Sequence, residues 1–287
     1  MLNKTRNIIV CLGLLIVSFT SFAQQKADTA KTAAAVKHKI LLVPVKTTMI
    51  MSEIGKAVNT ATKLSYAKIM EAFRYRLDQA IYNTFKPSSS ITSFLQEKKK
   101  GDTTLAYIYS NIGCKYDLLP GQDSTGENHA EFDSKQVKQH FIKKGQLQVP
   151  IDYSKRFMNV SFANTHLLAI LNKNTGADIF IFVNELDIKN VANTPTEDLT
   201  ASNFRREVMV QYSIVNAKKQ YIAKGILTTY FPANINDPKI IGEQYFKVIA
   251  QSMLKEFIVG LKKNEQIKNT PGAVHPKKIT PKKKTTK

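Results

Sequence analysis

The chain has 287 residues, 43% of them hydrophobic and 22% charged, which is enough to bury a sizeable core and unlike a disordered or collagenous composition. Two cysteines exclude a disulfide-stapled scaffold, and 12 glycines with no GxGxxG or GxxxxGK pattern exclude the usual phosphate-cradling loops. The net charge of +20 is unevenly placed: from Lys262 onward there are nine lysines against one acid, Glu265.

At the N-terminus, Lys4 and Arg6 precede an apolar run from Ile8 to Phe19, and Ser21-Phe22-Ala23 places small residues three and one positions before Gln24. That is the pattern of a cleaved signal peptide over residues 1–23, with an apolar run too short to span a bilayer. The protein is therefore expected to be exported, to the periplasm or the outer membrane. Cleavage removes Cys11 and leaves Cys114 as the mature chain's one thiol. Val10 is bulkier than the small residue that lipid-modifying signals prefer before their cysteine, so Cys11 is not taken as an acylation site. Beyond the leader, every long apolar segment is interrupted by charge, so no transmembrane helix is expected after cleavage.

Residues 24–37, small and polar, read as a flexible tether. Residues 38–262 read as a single folded domain with an insertion at 86–163. Lys39–Lys46 (KILLVPVK) reads as a buried strand whose Pro44 argues for an edge position or a bulge. Ser65 is placed to cap a helix reaching Phe85, with Ile69, Met70, Phe73, Leu77, Ala80, Ile81 and Phe85 on one face and Pro87 beyond its end. Residues 91–99 and 103–111 read as weaker helices, and 120–133 as a polar loop.

Asn164 is expected to cap a short helix that Gly176 closes. Ala177–Lys189 then reads as a strand, apolar on both faces at its start and so central in a sheet. Residues 204–216 and 220–231 alternate as strands around Ala217-Lys218-Lys219, a hairpin. Pro238 opens a last helix to about Lys262. Residues 263–287, with Pro271, Pro276 and Pro281 among lysines, read as a disordered tail. The fold class is α/β (α+β): a mixed sheet with helices on its faces, ordered strand, helix, insertion, helix, three strands, helix.

Candidate chemistry is sparse. Cys114 has Lys115 beside it, which would favour a thiolate, but the bland reading is a cysteine with no role. Asp123, Glu127, His129, Glu131 and Asp133 would share a face if extended and could ligate a hard cation or zinc, yet a solvated loop yields the same letters. Glu185 and Asp187 follow Ile179, Ile181 and Val183 and read as that face emerging from the core. Asp28-Thr29-Ala30, Asp102-Thr103-Thr104 and Asp123-Ser124-Thr125 match an Asp-Ser/Thr-apolar acceptor for periplasmic O-glycosylation, all in expected loops or tethers. No catalytic residue, metal ligand or cofactor is assigned.

The segment from Asn164 to Phe257 resembles the envelope domain of the curli-secretion lipoprotein family, the N-terminal domain of the Tol-system β-propeller protein and the lipoprotein activators of peptidoglycan synthases. The likeness rests on the helix ending at Gly176, Ala177-Asp178 leading into a hydrophobic strand, and a strand pair carrying Tyr212–Asn216 and Ala223-Lys224-Gly225. KILLVPVK and the Ser65–Phe85 helix would supply that fold's opening unit. The resemblance implies an envelope adaptor rather than an enzyme. Lys277, Lys278, Lys282, Lys283 and Lys284 would attach it to an anionic envelope polymer or surface, an envelope protein being the other partner class; nucleic acid is not expected outside the cytoplasm. The alternative is a periplasmic enzyme or small-ligand binder with its site in the 86–163 insertion, and a weaker one a secretion-pore subunit.

Overall fold

The structure, a computed structural model, describes residues 38–97, 101–118, 142–143, 146–147, 156–192 and 204–269. Strand β1 (Lys39–Val43) forms from the aliphatic run Ile40–Val43, buried on both faces. It stops at Pro44, which has no N–H to carry a ladder forward. A 3-10 turn at Thr47–Met49 follows, and the chain extends again as β2 (Ile50–Ser52). Helix α1 (Gly55–Thr62) leads into α2 (Tyr66–Phe85), where the Ser65 hydroxyl accepts the Lys68 N–H as an N-cap.

Strand β3 (Ser90–Ser93), α3 (Gly101–Asn111), β4 (Ile112–Leu118), the two-residue strands β5 (Ile142–Lys143) and β6 (Gln146–Leu147), and β7 (Arg156–Phe162) come next. Helix α4 (Leu167–Thr175) ends on Gly176 at φ 72°, a left-handed cap that costs glycine no side-chain clash. Then follow β8 (Ile179–Ala192), β9 (Phe204–Asn216) and β10 (Tyr221–Pro232). The Asn216 side chain accepts the N–H groups of Lys218 and Gln220, which shapes the β9–β10 turn. Capped by Asp237, α5 (Pro238–Ile240) passes through a π-helical turn at Ile241–Phe246 into α6 (Lys247–Asn269).

The main sheet runs β10-β9-β8-β1-β3, with β2 also paired to β8. β1 lies parallel to both β3 and β8, whereas β8, β9 and β10 are antiparallel. Alternate residues feed two cores. Ile40, Leu42, Ile179, Ile181, Val208 and Ile214 meet α2 and α6 on one face. Leu41, Val43, Phe180, Phe182 and Val215 meet α3, α4 and Val160 of β7 on the other. Transfer of side chains such as Phe73 or Phe180 contributes about 1.5–3 kcal/mol each, so both faces matter to stability. The mixed α+β order expected from the sequence is the order found.

Several local expectations change. β1 is central rather than an edge, because Pro44 lies just past its end. Residues 91–99, read as a helix, instead begin in β3 (Ser90–Ser93), whose parallel pairing with β1 overrides weak helix propensity. The last helix continues to Asn269, seven residues beyond the expected boundary at 262. Asp102-Thr103-Thr104, expected in a loop, lies in the first turn of α3.

Candidate functional site

Proline creates the opening that the fold offers. β1 pairs with β8 as far as Val43 and Phe182, and β2 takes up the pairing again at Ile50 and Leu186. Between them the chain detours through Pro44–Met49. At the same level β8 carries a bulge, its pairing to β9 shifting between Val183 and Glu185. Two neighbouring strands thus leave the regular ladder together. The gap sits at the carboxyl end of β1, beside the bulge in the first half of β8.

The cavity there measures about 180 Å³. Val43, Phe182 and Val183 give it an apolar wall, and Asn184 contributes a buried amide. Lys46 and Thr48 from the detour, and Gly113 and Cys114 from β4, complete the rim. Tyr109, also in the lining, is fixed from below: its hydroxyl donates to the Pro44 carbonyl (2.7 Å) and accepts from the Arg74 guanidinium (2.9 Å). Arg74 in turn donates to the Val45 carbonyl (2.8 Å), so α2 holds the detour in place.

Burial governs the ionisation of this region. Cys114 keeps part of its surface in solvent, yet the partial burial of its thiol pushes the pKa upward, with the Glu185 carboxyl adding to the shift and Lys46 opposing it. Glu185 is 5% exposed, with one carboxyl oxygen lacking a hydrogen bond; burial, then the neighbouring Asp187, raises its pKa. Burial likewise raises Asp78, to about 6, against the hydrogen bonds from Ser93 (2.5 Å) and Gln96 (3.1 Å) and the charge of Arg74.

A second polar group fastens β7 across the sheet beside this opening. Asn184 donates to the Met158 carbonyl (2.9 Å) and the Ser213 hydroxyl (2.8 Å), and Ser213 donates to Asn159 (2.6 Å). Asn159 passes the chain to Asp117 (2.6 Å), which also meets Lys115 (3.2 Å) and Lys224 (3.4 Å). The Gln211 side-chain carbonyl accepts the Met158 N–H. Burial pushes Asp117 up, but the Asn159 and Lys115 bonds and the Lys224 charge hold it below the ordinary carboxylate range. The network spans β4, β7, β8, β9 and β10, so it sets the height of β4, and with it of Cys114, above the sheet.

The sequence-selected residues fare unevenly. Cys114 is at the opening. Glu185 is close to that thiol, but it does not continue the face of Ile179, Ile181 and Val183. The bulge inverts the alternation, and Leu186 and Ile188 join that core instead. Asp187 pairs with Lys189 at 3.0 Å. Asp123, Glu127, His129, Glu131, Asp133 and the lysines 277, 278, 282, 283 and 284 lie outside the described residues, as do the leader, the tether and the acceptor tripeptides at 28–30 and 123–125. Among the described residues no group of three His, Cys, Asp or Glu is placed to hold a metal ion, and no helix is long and apolar enough to cross a membrane. Lys46, Tyr109, Asn184, Arg74 and Asp78 were not singled out from the sequence. Their signals were Pro44 inside an aliphatic run, Asn184 inside IFIFVNELDI, and Arg74 and Asp78 four residues apart beside the apolar stripe of α2.

On the outer layer, a trough of about 710 Å³ runs between α2 and the π-helical turn. Arg76, Gln79, Asn83, Glu243, Lys247 and Gln251 line it with polar groups. Gly242 permits the close helix approach, since a Cβ there would stand 2.8 Å from Arg76 Cβ.

No protein-family model matches the sequence. No curated protein matches it either. Among solved structures, the chain is similar to a hypothetical protein from Chlamydia trachomatis, at 11% identity and a TM-score of 0.33, over 79% of this chain and 96% of that one.

Proposed function

We propose that this is an exported, non-enzymatic protein of the cell envelope, an adaptor whose α/β body binds an envelope protein and whose basic terminus attaches to an anionic envelope polymer. The observation that carries the binding reading is the open polar trough between α2 and the π-helical turn. The basic leader, apolar run and Ser21-Phe22-Ala23 support export. The trough between α2 and the π-helical turn supplies open, hydrogen-bonding surface for a partner. The resemblance to envelope adaptor domains supports the same class.

Attachment through Lys277, Lys278, Lys282, Lys283 and Lys284 has a defined test. Because α6 continues to Asn269, the deletion that removes the five lysines and spares the helix is 270–287. Cross-linking in intact cells of the native host should return a defined set of envelope proteins or wall fragments. The 270–287 deletion should lose the polymer fraction, and salt should weaken it as the Debye length falls from about 10 Å at 0.1 M to about 3 Å at 1 M. An unpartnered soluble monomer would contradict the adaptor reading; unchanged polymer association after the deletion would contradict the role of the tail.

A further inference from the structure

We propose that the opening between the β1–β2 detour and the β8 bulge is a binding site for a small monocarboxylic acid with an apolar tail. Its size sets the scale. An apolar cavity of about 150 Å³ accommodates benzene, so a cavity of about 180 Å³ takes a molecule of roughly six to ten non-hydrogen atoms. Its wall sets the tail. Met49, Tyr109 and Ile112 line the space as partly buried hydrophobic side chains, backed by the buried Val43 and Phe182.

The rim sets the headgroup. Lys46 is the one formally charged residue among those lining the opening, and it stands on an exposed turn with Thr48 beside it. An ammonium and a hydroxyl at the mouth of the slot suit a carboxylate and disfavour an amine; the Glu185 carboxyl lies near Cys114 but outside the lining, and its burial favours the neutral form. The position has a backbone cause, since Pro44 ends β1 and the bulge turns Asn184 toward β7. Arg74 and Tyr109 brace the detour, which keeps the opening from closing on itself.

Cys114 at the rim serves as a reporter, because it is the only thiol of the chain after Gln24. In the protein spanning residues 24–287, the rate of Cys114 alkylation by iodoacetamide should fall about fivefold or more at saturating hexanoate, since pocket ligands bury most of their surface. Sodium chloride at equal ionic strength should leave the rate unchanged, and so should hexylammonium. Lys46→Met keeps the length of the stem and removes the charge; hexanoate protection should disappear in this variant. Thr48→Ala should weaken protection less. Circular dichroism checks that both variants fold, as expected for exposed positions. No protection by hexanoate, equal protection by hexylammonium, or protection that survives Lys46→Met would each overturn the proposal.

Discussion

Asp78 is a carboxyl buried on the core-facing side of α2. It is 1% exposed on α2, accepts hydrogen bonds from Ser93 and Gln96, and keeps one oxygen unpaired. With its pKa raised to about 6 in the folded state, the native protein binds more protons than the unfolded chain between roughly pH 4 and 6. Stability from this group therefore falls as pH rises through that window. Asp78→Asn should remove the dependence. The unfolding free energy of the variant relative to the parent should rise by up to about 3 kcal/mol from pH 3.5 to pH 7.5, read by urea denaturation. A flat difference would mean that Asp78 titrates normally. Ser213 answers to a different rule. Its hydroxyl accepts from Asn184 and the Val160 N–H and donates to Asn159, all buried. Ser213→Ala strands those groups and should cost about 1–3 kcal/mol at every pH. Asp78 lies beside the apolar stripe of α2 and Ser213 within an alternating strand, so neither breaks the periodicity that marks its element.

Helices and strands with strong signals were legible: Ser65 and Gly176 cap as their types dictate, and the Ile69–Phe85 stripe faces the core. What escaped depended on neighbours distant in the chain. β3 is a strand because β1 offers it a parallel edge, and the β8 bulge exists where β1 has left the sheet at Pro44. The site arises from these two interruptions, so a strand-by-strand reading saw a proline and two carboxylates but no opening. The packing of α6 on β10 is tested by one glycine. In an exposed helix Gly→Ala stabilises by about 1 kcal/mol. At Gly260 a Cβ would stand 2.0 Å from the Ile222 carbonyl oxygen, a backbone atom that cannot swing aside. Gly260→Ala should therefore destabilise, by about 1–3 kcal/mol, through displacement of α6 from the sheet. A gain in the unfolding midpoint would show that α6 sits farther from β10 than described.

At the scale of the whole molecule, the order strand, helix, insertion, helix, three strands, helix was readable because each element carries its own period and caps. Function was less readable, since a fold of this class hosts many activities and chemistry-bearing motifs are few. The central claim is export to the envelope, with the body acting by binding there. Fractionation of native host cells followed by intact mass measurement tests it most directly. The expected result is a protein that begins at Gln24 and sediments with the envelope at low salt. A protein that retains Met1 and stays in the cytosolic fraction would contradict it.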